Sequence, residues 1–484
     1  IPSRLVGSEM CIRDRLGGHS LKAMRIIAMM EKQLDVQINI ADFLKNPTIE
    51  QLAAFCEKEG GAVYQPIPKA EKQEYYGITP MQMSFLMMEQ MGRSVSFNSR
   101  SATMIKGDLQ MEALEKAVNA LLERFDVLRA SFVFVDDIPQ QIFHEKRVAK
   151  IEIHDCSNAE NPMSLASQKV KEIGEKPFDL ESELLLRVAV LKLSENRQVL
   201  LMVMPHIVTD GWSLSVMLKD LLVFYAAYRS ETKPQIPQLD IQYKDYLAWH
   251  LEKLADENIM GKHRDYWMEK LGGDFAVMTF TDAERPPIKT TEGANHIFHL
   301  PAHSAKALNQ LSLEKGTTLF MTLVALIKVV LHKYSGGEKD IIVGTPLAGR
   351  SHKDLENQAG LFINLVALRD KVAPEMAFDA LLKNVQKTVL EAYEHQEYPA
   401  VNLIQDLELD LDPGRSIGFD VLITLHNNDA VLDFDENLQQ QLSGLEIAPF
   451  PITADTSRFD LAFDIFQTGD EISISIEYLS LIHI

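Results

Sequence analysis

Residues 199–204 read Val-Leu-Leu-Met-Val-Met, and residues 205–213 then change abruptly to Pro-His-Ile-Val-Thr-Asp-Gly-Trp-Ser. The apolar run has the length of a strand, far short of the roughly 20 residues a membrane helix needs. With no polar alternation, it predicts a strand covered on both faces. Beyond it, Leu214, Met217, Leu218, Leu221 and Leu222 keep helical spacing, with Ser213 placed to cap the helix. A strand buried on both sides and followed by a helix requires a layered α/β domain. Chemistry in open α/β folds collects where such strands end. The boundary at Pro205 and His206 therefore predicts a site as well as a fold.

The same alternation of strand and helix runs from Thr79 onward. Thr79-Pro80 reads as a helix start, with proline at the first helical position. Leu114, Ala117, Val118, Leu121, Leu122 and Phe125 make one helical stripe. A second round follows past residue 280. Residues 318–334 are apolar nearly all round, as a buried helix is, and Gly336 is placed to end it. Asp340-Ile341-Ile342-Val343-Gly344 reads as a strand. Two alternating runs, Phe459 to Ile465 and Ile472 to Tyr478, flank Gly469-Asp470 and predict a hairpin. The expectation is mixed α/β in two comparable halves, breaking between about 245 and 300.

Residues 16–58 differ. Leu21, Met24, Ile27, Ala28 and Leu34 suggest one helix after Ser20, and Thr48 with Gln51 suggests a capping box opening another. Residues 59–75, with Gly60-Gly61, Pro66 and Pro68, read as a linker. The string Ser8-Glu9-Met10-Cys11-Ile12-Arg13-Asp14-Arg15 resembles translated sequencing adapter, as does the segment 479–484. Residues 1–15 and 479–484 are accordingly set aside as non-native, with the gene product expected to continue in both directions.

Charge and cysteines narrow the function. The chain has 484 residues and a net charge of −21. So acidic a chain repels phosphate backbones, which argues against nucleic acid as a partner. Three cysteines, Cys11, Cys56 and Cys156, show no paired spacing. That argues against a disulfide scaffold or a metal site and fits a reducing, cytoplasmic setting. No membrane partner is expected.

Two strings carry chemistry. In Leu16-Gly17-Gly18-His19-Ser20-Leu21, a serine stands at a helix mouth behind two glycines, where an incoming phosphate meets a positive dipole. On the residues alone, a plain N-cap serine is the simpler reading. The string resembles the phosphopantetheine-attachment motif of peptidyl carrier proteins, and Asp42-Phe43-Leu44-Lys45-Asn46-Pro47-Thr48-Ile49 resembles the carrier's later segment. The match spans about the last half of such an all-α domain. It implies that Ser20 carries 4'-phosphopantetheine, installed by a phosphopantetheinyl transferase.

The second string is the strand end. An imidazole at His206 can hold or accept a proton near neutral pH. Asp210 can orient the loop if an arginine pairs with it, and Gly211 allows close backbone approach or an unusual dihedral. On those residues alone, a structural histidine is the commoner reading. The string resembles the condensation domains of nonribosomal peptide synthetases, which carry two histidines, three variable residues and Asp-Gly. Pro205 replaces the first histidine, while His206, Asp210 and Gly211 match. Further stretches resemble the same family in the same order: Thr79 to Gln82, Arg124 to Phe132, Tyr243 to Trp249, Tyr266-Trp267, Gly360 to Asn364, His395 to Pro399 and Arg415-Ser416.

The resemblance implies two chloramphenicol-acetyltransferase-like halves in a V over residues 76–478, divided at about 76–250 and 251–478. It implies amide formation between a donor thioester on the upstream carrier and an aminoacyl thioester on a downstream carrier, with His206 catalytic. Carrier and adenylation domains of one assembly line are the implied partners. Backbone around Gly211 is a candidate oxyanion donor. Arg350 is the leading partner for Asp210, with Arg129 second. Rival readings are an epimerisation domain, disfavoured by Gly211-Trp212-Ser213, a stand-alone acyltransferase using a soluble thioester, and a non-catalytic scaffold that docks carriers.

Overall fold

The structure is a computed structural model. It describes residues 26–27, 30, 34, 38, 40–46, 48–59, 65–90, 94–273, 278–280, 285–408, 412–416, 418–427, 436–452, 456–469 and 471–482. Ser20 and its glycines lie outside the described residues.

Helices α1 (Ile40–Lys45) and α2 (Ile49–Glu59) precede the main body. Thr48 Oγ1 accepts from the Gln51 amide at 3.2 Å, as a capping residue does. The first half contains α3 (Pro80–Gln90), α4 (Met111–Arg124), α5 (Pro162–Gly174), α6 (Gly211–Arg229) and strands β1 (Asn98–Lys106), β2 (Ala130–Val135), β3 (Ile138–Phe143), β4 (Ile151–Asp155), β5 (Arg187–Ser194) and β6 (Arg197–Pro205). Next come α7 (Tyr243–Ala255) and α8 (Glu257–Leu271). The second half adds α9 (Ala302–Glu314), α10 (Leu319–Tyr334), α11 (Phe378–Glu394), α12 (Ala400–Asp406) and α13 (Glu436–Gln441). Its strands are β7 (Gly293–His299), β8 (Asp340–Leu347), β9 (Asn364–Lys371), β10 (Val421–Asn427), β11 (Glu446–Pro449), β12 (Leu461–Thr468) and β13 (Glu471–Leu479).

The expected strand at 199–204 is the interior of β6. It lies between β1 and β5 in a sheet ordered β11-β1-β6-β5-β4, antiparallel to both neighbours. From Gln198 to Pro205 each residue is buried, which is why the run has no polar alternation. Pro205 pairs with Asn98 of β1, two residues past the last β5 pair at Val203. It therefore has one neighbouring strand at its level, where proline is tolerated. Helices α4 and α6 pack on each other; Ala113, Leu114, Ala117, Val118, Leu121 and Leu122 form the buried stripe of α4.

The second half is built on a sheet ordered β7-β13-β12-β10-β8-β9, with β10 parallel to both β12 and β8. The anticipated hairpin is β12–β13, with Phe463 opposite Ile476 and Gly469 turning at φ 56°. Thr318 caps α10, and past its end Gly336 and Gly337 take φ values of 74° and 92°. Each half has its own hydrophobic core. Mixed α/β in two units is thus the observed architecture.

The division at 250 is not clean. Strand β11 joins the first half's sheet by pairing with β1, and Leu438, Leu442 and Phe450 join the first core. The segment expected as a linker is tied to the body from residue 65. His352 meets the Gln65 carbonyl at 2.9 Å, the Ile67 amide donates to Asp354 at 3.1 Å, and the Ala70 amide donates to Asp245 at 2.9 Å. Leu479, set aside with the tail, closes β13: it is fully buried and its amide donates to the Asp460 carbonyl at 3.1 Å. Among the described residues no single helix is long and apolar enough to cross a membrane.

Gly349 shows how tightly the segment after β8 is set. Its φ is 64°, and a Cβ there would collide with the Phe362 carbonyl. The left-handed region alone costs a side chain about 1–2 kcal/mol. Gly349→Ala should therefore lose about 2 kcal/mol or more in urea unfolding; a loss under about 0.5 kcal/mol would contradict the assigned backbone.

Candidate active site

The site begins where β6 ends. His206 opens a single 3-10 turn over His206–Val208, and Asp210 then caps α6. Ser213 was expected to be that cap. Instead Asp210 Oδ1 accepts from the Ser213 amide at 2.7 Å, because a carboxylate meets the helix's free amides and positive end more strongly than a hydroxyl. Ser213 turns its hydroxyl across to the second half. Its Oγ donates to the Gly360 carbonyl at 2.7 Å and accepts from the Gly360 amide at 3.0 Å and from Arg350 Nη2 at 2.8 Å.

Asp210 and Arg350 are both buried and lie 3.5 Å apart. The second carboxylate oxygen accepts from the Phe362 amide at 3.0 Å. The guanidinium also donates to the Gln358 carbonyl at 2.9 Å and to the Leu355 carbonyl, and it lies over the Phe362 ring at 4.1 Å. Gly360 and Phe362, noticed in the sequence without a role, thus belong to a clamp joining the halves. Arg129 is engaged elsewhere, with the carbonyls of His144, Glu123 and Leu122.

Other motif residues serve the same loop. Thr79 and Gln82 exchange hydrogen bonds at 3.0 and 3.1 Å, a capping box that starts α3. Gln82 Nε2 also reaches the Ile207 carbonyl at 3.3 Å. One turn on, the Phe85 ring stacks on His206 with centroids 5.0 Å apart. Phe85 was missed from sequence; its place on the capped helix was the available signal.

His206 is partly exposed, so the ring is not sealed in the core. Its Nδ1 is buried and has no hydrogen-bond partner. Burial, then the charge of Arg458, push the imidazole down to about 4, and Asp210 offsets them in part. The backbone of His206 and Thr209 also favours the protonated ring, though none of these contacts completes a hydrogen bond to Nδ1. The ring is neutral at pH 7. Gly211 is exposed, its φ lies outside the left-handed region, and a Cβ there would meet nothing within 4 Å. The fold itself does not require glycine at this position. A cavity of about 60 Å³ lies between the halves, lined by Thr79, Trp249, His250, Phe362 and Glu397 among others; His206 does not line it.

Two α/β halves joined by a buried ion pair beside a strand-end histidine define a two-unit α/β architecture. The family model described as Condensation domain matches residues 72–481, and that described as Phosphopantetheine attachment site matches residues 12–56. Gramicidin S synthase 2 of Brevibacillus brevis is 34% identical over 474 residues, covering 97% of this chain and 10% of its own length. Surfactin synthase subunit 1 of Bacillus subtilis (strain 168) is 33% identical over 466 residues, covering 96% and 12%. Among solved structures, the X-domain from teicoplanin biosynthesis superposes with a TM-score of 0.77 at 22% identity, over 86% of this chain and 92% of its own. The first condensation domain of the CDA synthetase gives 0.66 at 18%, over 85% and 92%. The chain belongs to the condensation-domain family and carries a phosphopantetheine-attachment segment ahead of that domain. It spans about a tenth of the length of the curated relatives it matches.

Removing one member of a buried pair strands the other charge, at a cost of about 3–5 kcal/mol. Asp210→Ala and Arg350→Met should each lose about that much in denaturant unfolding; a soluble Asp210→Ala protein with an unchanged midpoint would contradict the clamp. Because the folded ring titrates below an unfolded histidine, it takes up its proton only as pH falls toward about 4. Histidine Cε1 NMR should show that midpoint, and a value of about 6.5 or above would contradict the downward shift.

Proposed function

We propose that this chain forms an amide bond between a donor acyl thioester on an upstream carrier and the amine of an aminoacyl thioester on a downstream carrier, in nonribosomal peptide biosynthesis. The observation that carries the reading is His206: a neutral, partly exposed imidazole with an unpartnered nitrogen, fixed at a strand end by a clamp between two halves.

Ser20 is the proposed attachment residue, and the phosphopantetheine arm, when bound there, supplies the thiol that holds the donor as a thioester. The chain's own residues do the rest. His206 is too weak a base to strip a proton from a free ammonium. It is suited to accept a hydrogen bond from the neutral amine and to take the much more acidic proton exposed once the C–N bond has formed. Asp210 and Arg350 hold its loop and touch no substrate. Phe85 keeps one ring face dry. Bringing two tethered reactants to one fixed imidazole makes the encounter effectively local.

The partners proposed are the upstream and downstream carrier and adenylation domains of the same assembly line, with a phosphopantetheinyl transferase to load Ser20. On loaded carriers, His206→Ala should lower amide formation by about 100-fold. Near-normal turnover by that variant would overturn the catalytic role. A wild-type chain that binds loaded carriers and forms no amide would favour the docking-scaffold reading.

A further inference from the structure

A thioester carbonyl under attack by an amine gathers negative charge on oxygen, and a fixed donor aimed there lowers the barrier. His206, neutral, supplies no positive charge. Arg350 spends its donors on carbonyls, Ser213 and the pairing with Asp210. The amino end of α6 is capped by a carboxylate. None of these three groups offers a free positive charge to the site.

The second half brings one. Arg458 stands in the segment just before β12, and the backbone around it is fastened on both sides. The Ser457 amide donates to the Thr291 carbonyl at 2.9 Å, and Ser457 Oγ donates to the Phe459 carbonyl at 2.7 Å. Lys289 Nζ donates to the carbonyl of Arg458 itself at 2.8 Å, and Asp460 pairs with Arg285. With its backbone so held, the exposed guanidinium makes no hydrogen bond or ion pair among the described residues. It lies 5.9 Å from the centroid of Phe97. Phe97 meets Phe85 edge-on at 5.4 Å, and Phe85 stacks on His206. Phe97 also immediately precedes Asn98, the β1 partner of Pro205. A side chain from the second half thus reaches the level of the imidazole. Its charge outweighs that of Asp210 at the ring. Glu477 on β13 also interacts electrostatically with Arg458 and with Arg100 of β1; burial raises its carboxyl, and the two arginines lower it.

We infer that Arg458 donates to the carbonyl oxygen of the donor thioester and stabilises the oxyanion of amide formation, a role that rests on the function proposed above. The amine nitrogen bonds to the carbonyl carbon, and the π pair moves to oxygen beside the guanidinium. One proton leaves the new ammonium through His206. The oxyanion reforms the C=O bond, the C–S bond breaks, and that proton passes to the departing thiolate. Atoms and charge balance with no further reactant.

The test uses the full chain with pantetheine thioesters of the proteinogenic amino acids, screened pairwise as donors and acceptors. With the best pair, Arg458→Met should lower kcat by about 100-fold with KM changed less than about threefold, the scale of one lost oxyanion donor. Arg458→Lys should recover to within about tenfold of wild type. Melting temperature should not change, since the side chain is exposed. Removing the neighbouring cation should also raise the His206 titration midpoint in Arg458→Met. An active wild type with an equally active Arg458→Met, or a His206 midpoint identical in the two proteins, overturns the inference alone. A wild type inactive with every pair overturns the enzyme reading, and this inference with it.

Discussion

Everything at the site hangs from one buried ion pair. Asp210 belongs to the loop after β6 and Arg350 to the segment after β8, and neither charge has water to fall back on. Such a pair stabilises a fold only when its remaining donors and acceptors are used. Here the amides of Ser213 and Phe362 serve the carboxylate, and carbonyls with the Ser213 hydroxyl serve the guanidinium, all but its Nε, which is buried without a hydrogen-bond partner among the described residues. Charge burial thereby becomes a geometric constraint. The two halves meet in one register, and His206, four residues before the aspartate, is presented in one place.

That constraint gives the halves unlike tasks. The first contributes an imidazole kept neutral by its surroundings, backed by Phe85 on a helix that Thr79 and Gln82 start. The second contributes the arginine that completes the clamp and Arg458, whose backbone is held and whose guanidinium makes no hydrogen bond among the described residues. In the proposed reaction, a base that stays unprotonated and a cation that stays charged are compatible neighbours. The field of the cation favours the neutral ring, and a guanidinium does not surrender its proton in exchange.

Much of this was legible because it is local or periodic. The unbroken run before Pro205 fixed β6 as interior, and the stripe of α4 and the alternation of β12 and β13 read directly as their burial. That Asp210 needs a cation was legible from charge balance, and the family resemblance put Arg350 ahead of Arg129 as that partner. The cap of α6 was misread because Asp210 and Ser213 are both good capping residues, and only the path of the backbone chooses between them. Gly211 was read as allowing close approach or an unusual dihedral; its φ lies outside the left-handed region, and the space beside it is open. The clean split at 250 failed because β11 returns to the first sheet, a pairing between residues more than 300 positions apart that no local period records.

The sequence by itself determined the buried strand, the striped helices and the alternating hairpin, and that the aspartate after β6 needs a partner. Hydrophobic period and the cost of an unpaired buried charge act through near neighbours and leave their mark in composition. Tertiary structure alone decided that Phe85 lies on the imidazole, that Ser213 bridges rather than caps, and that Arg458 arrives from the other half. Those contacts depend on how two sheets and their connecting loops come to rest against each other, and that packing is a property of the whole chain.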